Sequence, residues 1–289
     1  MIDLTCLEYA TDADPSLSYC LWDYPRPAPA EDKWRSVNLL FDSFGVGGID
    51  ARGGAVVEAL RDAIGPFKTV FGIKQVDGRL AWEFYFYDYA RLERTVSISR
   101  VLAALRPWAG CKLQINEALP YFMFSIDLPI EAAGIARPIE QVHMYIGNPG
   151  SAVSSGIAYG LTSEGARLEN FYFFFDARTQ LGEVARKVAC SAQVDIRVIG
   201  IDALLLPELC DCRTICVANK ATHDCVYFSG ITVDQLVWFL ERFEYPEAIV
   251  QTVTARRDCL DHLLFDVGFD YRMSSGCLVV LKSGYYGVF

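Results

Sequence analysis

From residue 67 to its end, the chain repeats paired segments in which β-branched and aromatic residues alternate with polar ones. This two-residue period is that of a β-strand with one face buried. The first pair is joined by Asp77-Gly78, a dipeptide typical of tight hairpin turns, and the fourth is expected to turn near Asn219-Lys220. The pattern predicts five hairpins: residues 69–75 with 79–87, 121–128 with 141–148, 156–162 with 168–176, 213–218 with 224–229, and 263–272 with 277–289.

Helical spacing of apolar residues marks stretches before and between these hairpins. Thr232 is suited to be the N-cap of one helix, and Pro107 ends another that carries Val96, Val101 and Leu105 on one face. The predicted helices are residues 32–44, 54–64, 96–106, 179–190 and 232–243.

Five hairpins imply ten antiparallel strands, and the helices between them should cover one side of the sheet. An open sheet of ten strands tends to curl, and closure removes both exposed edges. We therefore expect an α+β fold, a ten-stranded antiparallel β-barrel with a surrounding ring of helices, formed by residues 1–289 as one domain. The lumen of such a barrel is wide enough to hold a ligand.

Alternation also sorts the side chains of each strand between the helices and the lumen. In the second strand the face with Trp82 is wholly apolar and should pack on helices, so the face with Glu83 should line the lumen. The same argument assigns to the lumen Glu83, Tyr85, Tyr87, His143, Tyr145, Gly147, Asn170, Tyr172, Phe174, Lys282, Gly284 and Tyr286. Phenols and polar groups on this face indicate a ligand chamber. For the last strand alone, an edge strand whose lysine discourages aggregation is the competing interpretation.

Composition restricts the possible partners. The net charge of −10 disfavours nucleic acid and anionic membranes. No apolar run is long enough to span a bilayer, and the acidic stretch after Met1 is unlike an export signal, so we expect a cytoplasmic protein. Its ten cysteines are expected to be reduced, and Cys210, Cys212 and Cys216 lack the spacing of a zinc site. An anionic ligand would have to be bound by a few well-placed donors inside a site.

The order of these segments and several short motifs resemble a known family. The motifs are Ser125-Ile-Asp-Leu leading to Val142-His-Met-Tyr-Ile, Gly156-Ile-Ala-Tyr-Gly-Leu-Thr with Leu168-Glu-Asn-Phe-Tyr-Phe, and the terminal Lys282-Ser-Gly-Tyr-Tyr. Together with the hairpins they resemble the aromatic prenyltransferases of the ABBA (PT) barrel, and within that group the cyanobactin peptide prenyltransferases. The resemblance extends from about residue 67 to the end of the chain.

This resemblance implies a reaction. A prenyl group, with dimethylallyl as the expected donor group, would pass from an isoprenyl diphosphate to a nucleophilic side chain of a peptide. Two alternatives remain open: a small aromatic acceptor, or a catalytically degenerate barrel that only binds. The absence of an Asp-Asp-x-x-Asp cluster in the sequence argues against the helical isoprenoid synthases. The resemblance is compatible with a monomer.

The resemblance also implies roles for lumen residues. The diphosphate would be bound by Lys74, His143, Asn170 and Lys282. The prenyl group and its cation would lie among Tyr85, Tyr145, Tyr159, Tyr172, Tyr227 and Tyr286. Glu83 and Asp127 are the catalytic candidates. His143 and Cys225 stand where relatives have basic residues, so Mg²⁺ held partly by Glu83 is expected to supply charge.

Three of these residues have simpler interpretations when the resemblance is set aside. Lys74 is then a lysine on a strand surface, and His143 is a hydrogen-bonded histidine in the barrel wall. Asp127 is either a cap for the loop that follows its strand or a base that faces the lumen. Alternation cannot separate these two possibilities for Asp127.

Overall fold

Ten antiparallel strands form a closed barrel in the part of the chain that the computed structural model describes, residues 7–130, 136–148, 151 and 153–289. Each strand pairs with the strands before and after it in the sequence, and the last pairs with the first. The strands are β1 (Thr69–Val76), β2 (Arg79–Tyr87), β3 (Met123–Asp127), β4 (Val142–Gly147), β5 (Ser154–Thr162), β6 (Gly165–Asp176), β7 (Thr214–Lys220), β8 (Asp224–Ile231), β9 (Phe265–Ser274) and β10 (Cys277–Val288). The predicted barrel and its five hairpins are therefore confirmed.

The closing pair is β1 with β10. Its register runs from Val70 opposite Val288 to Val76 opposite Lys282. Because β1 and β10 form backbone hydrogen bonds with each other, neither strand is left as a free edge of the sheet.

Helices lie outside the barrel and before its first strand. They are α1 (Val37–Val46), α2 (Ala51–Ile64), α3 (Ile98–Leu105), α4 (Leu181–Ala189), α5 (Ile196–Ile199), α6 (Val233–Arg242), α7 (Glu247–Ala255) and α8 (Arg257–Leu260), with short 3₁₀ turns at Arg91–Glu93, Ile201–Ala203 and Pro207–Leu209. Thr232 caps α6 as predicted, through a reciprocal capping box with Gln235. No helix in the described ranges has the length and apolar character needed to cross a membrane.

Several predicted element boundaries are displaced by a few residues, and two of these displacements have a clear physical reason. The first helix was expected from residue 32 but begins at Val37, because Asp32 has a positive φ of 60° and the Trp34 N–H is bonded to the Cys259 carbonyl. The fourth hairpin does not turn at Asn219-Lys220, since β7 continues through Lys220. Lys220 stays extended because it is paired with Asn170 of β6. Helix α7 was not predicted at all.

The outward faces of the strands form the main apolar core with the helices. Trp82, Phe84 and Phe86 of β2 lie in this core, and the Trp82 indole donates a hydrogen bond to Ser43 Oγ at 2.8 Å. Phe171 of β6 also points outward, but no helix covers it fully and it is 38% exposed. Since the helices bury the apolar faces, the lumen faces are free to carry polar groups.

A hairpin before the barrel closes one end of the lumen. In this N-terminal hairpin, residues 16–24, Leu17 bridges Asp23 and the Ser18 N–H bonds to the Trp22 carbonyl at 3.0 Å. Its turn places Tyr19 and Cys20 at the tip, where both pack against lumen residues. Residues 1–6 and part of the predicted 149–155 link lie outside the described residues.

Glycines on the inward faces make room for aromatic rings. A Cβ on Gly72 would come within 2.8 Å of Tyr286 Cε1, and one on Gly268 would overlap the Tyr227 ring. Both glycines lie opposite these tyrosines on neighbouring strands. The rings therefore lie flat across the wall and extend over its smallest residues.

We predict that Gly268→Ala destabilises the protein by about 1 to 3 kcal/mol, because the added methyl group forces the Tyr227 ring out of its place. Gly45→Ala is the matched control, since it adds the same methyl group within α1 where no atom lies within 4 Å. That control should be neutral or stabilising by up to about 1 kcal/mol. Urea unfolding of both variants measures the difference. Equal stability of the two variants would contradict the packing of Tyr227 on Gly268.

Candidate active site

The lumen is divided into two chambers of opposite character. The polar chamber has a volume of about 160 Å³ and the apolar chamber about 50 Å³. The polar chamber is lined mainly by Lys74, Glu83, Tyr85, Asp127, His143, Asn170, Lys220, Cys225, Asp270 and Lys282. The apolar chamber is lined mainly by Cys20, Trp22, Tyr87, Phe122, Met123, Phe174, Cys216 and Asp266.

Five tyrosines separate the chambers and line both of them: Tyr19, Tyr145, Tyr172, Tyr227 and Tyr286. We call this set the tyrosine collar. Tyr19 is at its centre, with its ring centroid 4.7 Å from that of Tyr286 and 6.3 Å from that of Tyr227. Burial raises the pKa of all five phenols, so they are neutral at physiological pH. The collar therefore presents uncharged π faces to the space between the chambers.

The three lysines of the polar chamber are each paired with a carboxylate. Lys74 forms an ion pair with Glu83 across the β1–β2 hairpin. Lys220 and Lys282 share Asp270, at 2.9 Å and 3.2 Å from its Oδ2. Glu83, Asp127 and Asp270 together balance the three lysine charges. The polar chamber has dense but compensated charge.

Asp270 is the centre of the largest of these clusters. Its side chain is 2% exposed, and besides the two lysines it is bonded to His223 Nε2 at 2.9 Å. Burial alone would raise its pKa, but the charges of Lys220 and Lys282 and the hydrogen bond from His223 hold the pKa well below its usual value. Asp270 is thus a fixed negative charge that holds two lysines in the chamber wall.

Glu83 and Asp127 lie opposite each other on β2 and β3 but differ in state. Burial would raise the pKa of Glu83, yet the charges of Lys74 and His143 lower it overall, and Tyr85 Oη donates to Glu83 Oε2 at 2.7 Å. The pKa of Asp127 is raised, by partial desolvation in the lumen and then by the charge of Glu83, although Asp127 is the exposed last residue of β3. Asp127 makes no side-chain hydrogen bond to the described residues. Of the two candidates, Asp127 is therefore the carboxylate better placed to accept a proton.

His143 is held by a residue that sequence reasoning did not single out, Glu169. The two side chains are 2.6 Å apart, Nδ1 to Oε2. Burial opposes the charge on His143, but Glu169, Glu83 and Asp127 outweigh it and the pKa of His143 is raised. His143 is thereby favoured as a cation at the wall of the polar chamber.

Most of the remaining predicted residues also line the polar chamber. Asn170 and Lys282 line the polar chamber as expected, with Asn170 Nδ2 donating to Tyr172 Oη at 2.9 Å. Tyr85 lies beside them and donates a hydrogen bond to Glu83, while Cys225 is buried in the same wall. The structure thus brings together at one chamber nearly all the predicted polar residues.

The assignment of Tyr159 to the prenyl-binding ring is wrong. Tyr159 is opposite Met144 in the sheet, and both side chains point outward into the core formed with the helices. The inward positions of β5 are Gly156, Ala158 and Gly160 instead. Strand alternation therefore excludes Tyr159 from the lumen.

Besides Glu169, four further residues that matter to the geometry were not predicted: Tyr19, Lys220, Asp266 and Asp270. The two aspartates alternate with Phe265, Val267 and Phe269 along β9. This two-residue period could have assigned both aspartates to the lumen face. Lys220 was missed because it was assigned to a turn. Tyr19 carries no such signal, since the segment around it has no regular period.

Asp266 stands apart from the other carboxylates, in the wall of the apolar chamber. Its Oδ2 accepts the Tyr19 N–H at 2.6 Å, and Ser229 and the Gly230 N–H are further hydrogen-bond donors to the same carboxylate. Burial raises the pKa of Asp266 to about 6, and hydrogen bonds limit the rise.

The described residues contain no group of three or more His, Cys, Asp or Glu side chains placed to hold a metal ion. A metal site built by the protein alone is therefore not formed there. Mg²⁺ commonly binds through one or two carboxylates together with substrate phosphates and water. Glu83 and Asp127, adjacent across β2 and β3, fit that smaller requirement.

No protein-family model and no curated protein matches this chain. Kinship with the prenyltransferases therefore stays a prediction from short motifs. The barrel itself is shown by the strand pairing alone.

We predict that Asp270→Asn destabilises the protein by about 3 to 5 kcal/mol, because it leaves Lys220 and Lys282 without their buried counter-charge. Asp234→Asn removes an aspartate from an exposed ion pair with Arg257 and is the matched control. Its cost should stay below about 1 kcal/mol. Chemical unfolding measures both. A loss for Asp270→Asn no larger than that of the control would refute the buried cluster.

We predict that Asp266→Asn removes a pH dependence of stability. The folded protein binds the Asp266 proton up to a pKa of about 6, above the ordinary 3.8. Between these values the folded state holds more protons than the unfolded state, so rising pH lowers the free energy of unfolding. The stability difference, variant minus wild type, should therefore grow by up to about 3 kcal/mol from about pH 4 to pH 6.

Unfolding in urea at several pH values across this range tests the effect. Asp176→Asn is the control, since the pKa of Asp176 is lowered by hydrogen bonds from Thr179. Its difference from wild type should stay flat over the same range. A flat difference for Asp266→Asn as well would show that this carboxyl does not titrate as its burial requires.

Proposed function

We propose that the barrel transfers a prenyl group from an isoprenyl diphosphate to a nucleophilic group of a peptide or of a small aromatic molecule. The observation that supports this most directly is the juxtaposition of a lysine-lined chamber with an apolar one across a collar of buried phenols. An isoprenyl diphosphate has the same division, an anionic head joined to an apolar chain. The proposed donor would place its head among the lysines and its chain between the collar tyrosines.

The lysines would bind the diphosphate by exchanging partners. Lys74, Lys220 and Lys282 lie in one chamber, and His143 adds a further favoured cation. A diphosphate entering the chamber would draw these cations away from Glu83 and Asp270. Because three carboxylates balance the lysines, the chamber alone offers little net attraction for an anion. Bound Mg²⁺, held partly by Glu83, would supply the missing positive charge.

The collar would protect the reacting carbon. When the C1–O bond of the donor breaks, its electron pair leaves with the diphosphate and positive charge develops on the allylic group. Neutral phenol faces stabilise such a charge and the enclosed lumen limits its capture by water. A cation already lies over one lumen phenol, with Lys74 Nζ 6.0 Å from the centroid of the Tyr85 ring.

The acceptor would complete the exchange of bonds. An electron pair of its nucleophilic atom forms the new bond to C1, and that atom then gives up a proton. Asp127 is the predicted proton acceptor of the polar chamber because its pKa is raised and its carboxylate is not held by a hydrogen bond to the described residues. Glu83 would instead act as a fixed charge that positions Lys74.

A barrel that binds without turnover is the second candidate. The compensation of every chamber lysine by a carboxylate favours it, because compensation weakens the hold on a leaving diphosphate. Binding of inorganic pyrophosphate without any transfer would distinguish this function from catalysis.

The test is incubation with dimethylallyl diphosphate and Mg²⁺ in the presence of cyclic peptides, indoles or phenols, followed by mass spectrometry. We expect one acceptor to gain the mass of a single prenyl group. Lys282→Ala should weaken donor binding by about ten- to a hundredfold, because a charge-assisted contact is lost. Tyr286→Leu should lower kcat by about tenfold or more, whereas Tyr286→Phe, which keeps the π face, should change it little.

Lys112→Ala provides the control for Lys282→Ala, since Lys112 is an exposed lysine outside the lumen. It should leave transfer unchanged. The absence of a prenylated product with every acceptor would rule out the proposed reaction for these substrates. Equal rates for Tyr286→Leu and Tyr286→Phe would exclude a role for the phenol face.

A further inference from the structure

The tip of the N-terminal hairpin occupies the middle of the lumen. Tyr19 contacts three rings of the barrel wall edge to face, with centroid distances of 5.3 Å to Tyr85, 6.1 Å to Tyr87 and 4.7 Å to Tyr286. It belongs to both chambers at once, as the other collar residues do. Unlike them it is not part of a strand, so it can leave without breaking the barrel.

The space on the apolar side of Tyr19 is too small for another ring. The apolar chamber measures about 50 Å³. A dry protein cavity that holds one benzene molecule needs about 150 Å³. An aromatic acceptor therefore cannot enter the apolar chamber while the Tyr19 ring is in place.

The hairpin is held at its tip by two polar contacts. The Tyr19 N–H donates to Asp266 Oδ2 at 2.6 Å, and Tyr89 Oη donates to the Cys20 carbonyl at 2.8 Å. Ser229 and the Gly230 N–H also interact with the Asp266 carboxylate. A buried carboxylate in an apolar wall is costly unless its oxygens are hydrogen-bonded. The Tyr19 N–H supplies such a bond, and a ligand that displaces Tyr19 would have to replace it.

We propose that Tyr19 holds the place of the acceptor, and that an aromatic side chain with an adjoining amide N–H displaces the hairpin tip and takes over its bond to Asp266. The ring of the incoming residue would lie among Tyr85, Tyr227 and Tyr286, where Tyr19 lies now. The amide requirement favours an aromatic residue within a peptide over a free small aromatic molecule. This inference rests on the proposed function only in calling the ligand the acceptor, since the displacement itself involves no transfer.

The test uses binding without any donor. N-acetyl-L-tyrosinamide carries both the ring and the amide, and 4-methylphenol carries the ring alone. By calorimetry, Tyr19→Ala should bind N-acetyl-L-tyrosinamide at least about tenfold more tightly than wild type, because the site no longer has an internal competitor. Tyr9→Ala is the matched control, as Tyr9 lies in the same N-terminal region but is 51% exposed, and it should bind like wild type.

Asp266 is tested in the same background. Tyr19→Ala should prefer N-acetyl-L-tyrosinamide over 4-methylphenol, and the double variant with Asp266→Ala should lose that preference. A folded Tyr19→Ala protein that binds the amide no better than wild type would overturn the proposal. So would a preference that survives removal of Asp266.

Hydrogen exchange on the wild-type protein keeps the test independent of the variants. Saturating N-acetyl-L-tyrosinamide should speed exchange of the Tyr19 amide, since that N–H loses Asp266. Unchanged exchange at saturation would place the ligand elsewhere and refute the displacement. Tighter binding by Tyr19→Ala without any prenyl transfer would support the displacement of Tyr19 and contradict the proposed reaction. The two hypotheses can therefore be refuted independently.

Discussion

Pairing of β1 with β10 is the constraint on which the lumen depends. It brings the first and last strands of the barrel into one register, with Lys74 opposite Gly284 and Gly72 opposite Tyr286. Without this pair both edges would be exposed, and the two chambers would be grooves open to water on one side. In water the attraction between buried charges falls steeply, so the ion pairs of the polar chamber would lose much of their strength. Closure therefore supplies both the tyrosine collar and the low-polarity setting of the lysines.

The antiparallel register also decides which end of the barrel is polar. Lys74 lies near the end of β1, and Glu83, at the middle of β2, reaches it across the hairpin. Lys220 ends β7 at the same end of the barrel, and Asp270 in the second half of β9 reaches it. The connections that carry α3, α4 and α6 all lie at the opposite end, where the apolar chamber and the N-terminal hairpin are found. Charged residues thus gather at the end with short, solvated turns, and aromatic residues gather at the end that helices and the hairpin enclose.

Much of this arrangement could be predicted from sequence because alternation is a strict geometric rule. Once Trp82 is placed toward the helices, Glu83 must face the lumen, and the structure confirms this. The prediction failed at Lys220, because the Asn219-Lys220 dipeptide resembles a turn. In the structure, pairing with β6 keeps Lys220 extended. Tyr19 could not be predicted, because its position depends on a contact with Asp266, 247 residues away. Local sequence patterns predict which face of a strand a residue occupies. They do not predict where an irregular segment packs against the barrel.

Charge compensation gives the resting barrel stability at the expense of anion affinity. Each ion pair removes the cost of a buried lysine, and the same pair must be weakened before a lysine can serve a diphosphate. Among the three carboxylates of the polar chamber, only Asp127 has a raised pKa, while Glu83 and Asp270 are held ionised by their lysine partners. Protonation of Asp127 would therefore leave the chamber with one excess positive charge and no broken ion pair. Asp127 is thus the carboxylate through which the charge of the polar chamber can change while its ion pairs stay intact.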